Sequence, residues 1–243
     1  KMDPHNSIAH ERLAFVLGVE GRNWEAMPHL FDPIRQGRIA VEPLVVLGTG
    51  GSKSVTNPPL IQQAVAVAPE DPLPTLGRSR TFIDNGESAK AEQLLEDVLA
   101  RHPNQLEAHA ILGRIAVTSK DPAKVKAWFE RLPSEAGRHP EIWYWKAVWA
   151  ASNNQPEAAA RGYWEAARLN PNHLKAHRQL ADLLGTLGRE RDAASFGERA
   201  EKLEALRPLL DELYELREVE KPDDAKSDRL AGIGLHYQIV AQA

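Results

Sequence analysis

The sequence predicts an all-α fold, a solenoid of about six stacked helix pairs. Two observations predict it. Prolines mark time at a spacing of 34: Pro69, Pro103 and Pro171 lie 34 and 68 apart. Between them, small and aromatic residues recur at the same internal offsets, the pattern expected when helices approach closely at repeated points. Pro140 and Pro208 each arrive three residues late on this clock, which predicts short loop insertions between helix pairs.

The elements follow in order. Residues 7–37 form a first repeat, with Leu13, Ala14, Gly21, Ala26 and Leu30 at repeat offsets. Pro28 and Pro33 predict a kinked or shortened second helix there. Residues 38–71 form a degenerate repeat. Its middle, 47–59, is Gly-, Ser- and Pro-rich and is predicted as a loop. Repeats of 72–105, 106–139, 140–173 and 174–207 come next. Ala91, Leu95, Val98 and Pro103 close one of them, and Ala159, Tyr163, Ala166 and Pro171 close another at the same offsets. Residues 208–243 are predicted as C-terminal capping helices. Leu209, Leu213, Tyr214 and Leu216 mark the first, and Gly232 and Gly234 weaken the second. All 243 residues are thus expected in a single solenoid.

Large–small pairs early in each unit (Leu13-Ala14, Leu112-Gly113, Leu180-Ala181), followed by the Ala–aromatic–Ala–Pro run, carry a resemblance to the tetratricopeptide-repeat (TPR) family. It is closest in 140–205. It implies a right-handed superhelix whose first helices line a concave groove that holds a protein or peptide segment. More narrowly, Gly21 to Ala26, His29-Leu30, Ile34 to Gly37, His139 to Trp143 and Trp164 to Leu169 resemble the TPR region of bacterial proteins with a C-terminal ASPIC/UnbV or FG-GAP-type propeller. No propeller module is present in these residues.

The register of the resemblance selects groove candidates. The fifth position of successive units holds Leu76, Ala110, Tyr144 and Arg178, and the ninth holds Arg80, Arg114, Val148 and Asp182. The second position of the last two units holds Glu141 and Lys175. A stripe of Arg80, Arg114, Lys175 and Arg178 beside Tyr144 suits an acidic or C-terminal carboxylate segment, because guanidinium groups grip carboxylates bidentately. The competing reading is a solvated helix face. The family's clamp for acidic chaperone tails needs asparagine at the ninth position, and arginine, valine or aspartate stands there instead. The tryptophans have a packing reading first: Trp143 at a core position, Trp128 and Trp164 between helices, Trp145 and Trp149 on one face.

Composition and motifs narrow the function. A net charge of −4 and a pI near 6.2 offer no general attraction to nucleic acid. No apolar run is long enough to span a membrane. The chain has no cysteine, which removes disulfides and thiol chemistry. Gly48 to Ser54 has the look of a phosphate loop, but Ser52 stands where glycine should precede Lys53. His173 and His177 share a helix face but lack a third ligand. No catalytic residue, cofactor or metal is therefore expected. The leading expectation is a non-catalytic scaffold; a self-assembling module and a helical-repeat enzyme or small-ligand domain are the alternatives. A cytoplasmic and an exported location both remain open, since the chain starts at Lys1 and a leader before it is compatible with the sequence.

Overall fold

A computed structural model describes residues 6–19 and 69–217, with Ala26, His29, Gln63, Ala66 and Val67 as isolated positions between them. The described residues are helical throughout, apart from turns. They belong to two compact units, 53–193 and a second one formed by 1–52 with 194–243. In the second unit α1 (Ser7–Val19) buries Ala14 and Leu17. Most of the repeat expected at 38–71, the loop 47–59, Pro28, Pro33 and everything after Arg217 lie outside the described residues.

The unit 53–193 is a succession of helix pairs: α2 (Pro72–Asp84) with α3 (Ser88–Arg101), α4 (Leu106–Thr118) with α5 (Pro122–Glu130), and α6 (Pro140–Ser152) with α7 (Pro156–Leu169). Then come α8 (Leu174–Thr186) and α9 (Glu190–Arg217), which continues into the other unit. First helices thus start every 34 residues and are 13 residues long each. No insertion explains the lateness of Pro140. It sits at the first position of α6, where the missing N–H costs nothing, as Pro72, Pro122 and Pro156 do in their helices. The turn position equivalent to Pro103 and Pro171 is Gly137. Pro208 does not begin a capping helix but lies inside α9. A single proline removes one backbone bond, and the flanking Glu, Lys, Leu, Ala and Arg residues are strong helix formers, so the helix runs through it.

The turn within each pair repeats with the same precision. Gly86, Lys120, Asn154 and Gly188 all adopt left-handed backbone, with φ of 80°, 59°, 55° and 72°. This is the residue that ends a helix by folding back on it, so glycine and asparagine are expected there and lysine is not. Their N–H groups donate to Ile83, Val117, Ala151 and Gly185 carbonyls, again 34 apart.

Small residues at the eighth position of the first helices set the packing. Gly113 lies under Trp128: a Cβ on it would stand 2.3 Å from the indole. The Trp128 Nε1–H donates to the His109 carbonyl at 2.8 Å. In the next pair the relation is inverted, with Ala147 facing Gly162. A core of Leu76, Leu95, Val98, Ile111, Val125, Trp128 and Ile142 runs through α2 to α6. Trp145 and Trp149 pack against it partly buried. Trp164 departs from its expected place between helices. The packed side of α7 is Ala159, Gly162, Tyr163, Ala166 and Ala167, and the Trp164 ring projects from the other side, 46% exposed, with the Arg168 guanidinium over it at 5.7 Å.

Candidate functional site on the first-helix face

Three of the four first helices are anchored at their start by a ring. His109 of α4, Trp143 of α6 and His177 of α8 occupy the fourth position of their units. Their ring N–H groups donate to the carbonyls of Pro103, Gly137 and Pro171 at 2.8, 2.9 and 3.0 Å. Two chemically different rings do one task, tying the incoming turn to the first helix. Trp143 therefore has a polar duty besides packing, while its flat face carries Lys146 at 5.3 Å.

A polar ladder then links first helix to first helix. Arg80 of α2 pairs with Glu107 of α4, and the other Glu107 carboxylate oxygen accepts from His139 Nε2 at 2.9 Å. His139 stands at the N-cap position of α6, without a side-chain capping bond, and is 1% exposed. One repeat later, Glu141 lies 3.0 Å from Nε2 of His173, which caps the start of α8 and accepts from the Ala176 N–H through Nδ1. Glu107 and Glu141 are 34 apart, as are His139 and His173. Burial works against a charged Glu107, but the Arg80 charge and the His139 hydrogen bond outweigh it and hold its carboxyl down at about 2. Glu141 is also held below the ordinary carboxylate range: burial opposes this, and the charge and hydrogen bond of His173 prevail.

The candidates from sequence fall into three groups. Leu76, 1% exposed, and Tyr144, 8% exposed, belong to the interior rather than to an open stripe. Tyr144 rests on His173 and Tyr163, with ring centroids 4.9 and 5.8 Å away. Burial, with Tyr163 and Glu141 adding to it, pushes its phenol up to about 12, so it stays neutral. Arg80, Arg114 and Glu141 sit half-buried on the ladder, each facing a partner; Arg114 lies 3.6 Å from Asp84. Lys175, Arg178 and Asp182 are exposed on α8. The structure places Arg80 and Arg114 each against its own carboxylate between α2 and α4, and brings Glu141 and Tyr144 together around His173. Asp84, Glu107, His139 and His173 were not selected from sequence as part of this face. Glu107 had a signal, since it holds the same second position as Glu141 and Lys175.

The chemistry of the rest is sparse. Among the described residues no group of three or more His, Cys, Asp or Glu side chains is arranged to hold a metal ion. A cavity of about 100 Å³ lies beneath two ion pairs that join α3 to α5 and to the residue that ends it, Glu92–Lys124 and Glu96–Arg131, and is floored by Leu112, Ala116 and Trp128. Ligand sites of drug-like size occupy roughly 300–1,000 Å³, so this one suits a few waters. No helix among the described residues is long and apolar enough to cross a membrane.

The tetratricopeptide-repeat family profile matches residues 59–115 and 82–148. Residues 59–148 thus carry tetratricopeptide repeats. The 34-residue register of the helix starts, left-handed turns and ring anchors is the TPR period, and the all-helical repeat architecture expected from sequence stands. Nothing in the match extends to the narrower ASPIC/UnbV resemblance. Several solved structures of MamA are similar to this chain. One from Desulfovibrio magneticus RS-1 is 16% identical, with 84% of this chain and 98% of that chain covered at a TM-score of 0.42. MamA of AMB-1 is 18% identical, with 72% and 95% covered and a TM-score of 0.42. MamA of MSR-1 is 15% identical, with 82% and 97% covered and a TM-score of 0.39. Likeness this distant carries no argument about what the chain binds. No curated protein matches it.

Proposed function

We propose that this chain is a protein-interaction scaffold that holds a segment of its partner along the face of the first helices, the groove of the family. The observation that carries this reading is the ladder. It joins α2, α4, α6 and the start of α8 through buried or half-buried polar contacts at one period, so that successive first helices present equivalent positions in fixed register. A preorganised strip of this kind avoids the entropy of ordering a binding surface at the moment of binding. Arrays of helical repeats use their extended inner surface in this manner. The repeats that contribute are 72–105, 106–139, 140–173 and 174–207, and Lys175, Arg178 and Asp182 are their most open positions on α8.

Site-specific photo-crosslinking tests the reading. A photoreactive residue at position 178, on the first-helix face, is expected to capture a discrete partner, and one at Arg161, exposed on α7, is not. Equal capture from both positions would remove the face from the proposal. Products linking two copies of this chain through position 178 would shift the reading to self-assembly. Unchanged affinity for the captured partner in the Arg80→Ala/Arg114→Ala variant would place binding elsewhere than the α2–α4 stretch.

A further inference from the structure

The charges on the first-helix face do not form the basic stripe that the arginines suggest. Arg80 is held by Glu107, which is 13% exposed and also bonded to His139. Arg114 stands one repeat beyond Arg80, yet it pairs back to Asp84 at 3.6 Å rather than forward to Glu141, which faces His173. Over α2 and α4 each of the two guanidinium groups therefore already meets a carboxylate of its own, and Glu141 at the start of α6 faces His173. The interior position of Glu107 and its low ionisation range mean that protonation does not release Arg80 at ordinary pH. A ligand carboxylate approaching Arg80 has to compete with an ionised group that is already bonded twice. At Arg114 it meets the charge of Asp84.

We propose that Asp84 and Glu107 are specificity-determining residues of the α2–α4 stretch of this face: they neutralise Arg114 and Arg80, exclude acidic segments there, and select for that stretch a partner segment with no net negative charge. The inference rests on the reading of the first-helix face as the binding surface. It adds the sign of the partner's charge, which follows from the like-charge repulsion that such carboxylates impose on a wrong partner. The arginines serve the ladder and the α2–α4 contact rather than the ligand.

The test is fluorescence anisotropy with two labelled peptides, one of alternating alanine and glutamate and one of alternating alanine and lysine, against the whole chain. The unsubstituted protein is expected to leave the glutamate peptide unbound. Asp84→Asn/Glu107→Gln is expected to gain at least roughly tenfold in affinity for it, a gain that fades at high salt. Asp84→Asn alone, at an exposed side chain, is expected to show part of that gain and does not touch the buried His139 bond. Equal affinity for the glutamate peptide in the unsubstituted protein and in the variants overturns the proposal. So does a double variant with an unchanged circular dichroism spectrum, or Asp84→Asn should the double variant not fold, that gains nothing. A crosslinked partner whose contact segment is acidic would overturn the charge rule while leaving the scaffold reading intact. Failure of position 178 to capture any partner would undo the scaffold reading and the charge rule with it.

Discussion

The α4–α5 pair and the α6–α7 pair meet the same steric demand with opposite residues. In the first, the first helix supplies nothing, Gly113, and the second supplies an indole, Trp128. In the second, the first helix supplies a methyl, Ala147, and the second supplies nothing, Gly162. The positions are equivalent, 34 residues apart in both helices. What is held constant is the space between the helix axes, and the residue that fills it changes sides. The contrast extends to the ring anchors, where a histidine in α4 and a tryptophan in α6 donate to equivalent carbonyls. A repeat is thus a geometric specification that different chemistry meets.

The largest break in that comparison is expected at Gly113. Gly113→Ala places a methyl inside the Trp128 ring. The helix-propensity gain of about 1 kcal/mol is outweighed by overpacking, for a net loss of about 2–3 kcal/mol in urea denaturation. Trp128→Leu in the same background is expected to recover part of it, which a double-mutant cycle reads as coupling between the two sites. Gly162→Ala meets a methyl at 2.8 Å and the Trp143 carbonyl at 3.2 Å, less than a full ring, and is expected to lose only about 1 kcal/mol.

The ladder separates the same two repeats by pH. Glu107 is nearly buried and its carboxyl is held down at about 2, whereas the Glu141 side chain is 42% exposed. A carboxylate whose folded-state ionisation lies below its unfolded value contributes stability above the unfolded range, near pH 4. That contribution is lost as pH falls toward 2. Stability is therefore expected to drop by about 2 kcal/mol between pH 4.5 and 2 through Glu107. Glu107→Gln should flatten that slope in acid titration followed by circular dichroism. Glu141→Gln should flatten it much less, because the half-exposed Glu141 carboxylate is itself screened by solvent.

The smallest effect sharpens the comparison at the turns. Lys120 in α4–α5 holds the left-handed position that Asn154 holds in α6–α7 and that Gly86 and Gly188 hold elsewhere. Lys120→Gly relieves that strain at the cost of a more flexible unfolded chain. A net gain of about 0.5–1 kcal/mol in thermal denaturation is expected. Asn154→Gly should be close to neutral, since asparagine already tolerates this backbone.

Much of the fold was legible because its signal is local or strictly periodic. Pro103, Pro171, Leu112-Gly113 and the Ala159–Tyr163–Ala166 run report on one helix pair each and needed no distant partner to be read. The proline clock misled at Pro140 and Pro208 because proline has three structural uses here: in a turn, at a helix start and within a helix. Spacing alone does not tell them apart. The candidate face was legible by position and not by state. Arg80 and Arg114 were found by their place in the repeat, while the pairing that neutralises them was not, and Tyr144 and Leu76 proved to be interior.

By itself the sequence determined the period, the pairing of helices and the positions where small residues let backbones approach, since these follow from residue size and backbone preference within one repeat. Only the tertiary structure decided which charges remain open. Glu107 reaches back 27 residues to Arg80 and forward 32 to His139, and Arg114 turns to Asp84 rather than Glu141. Those choices depend on how neighbouring repeats bring side chains within hydrogen-bonding distance. Whether an arginine is bonded or free then depends on distances of a few ångströms.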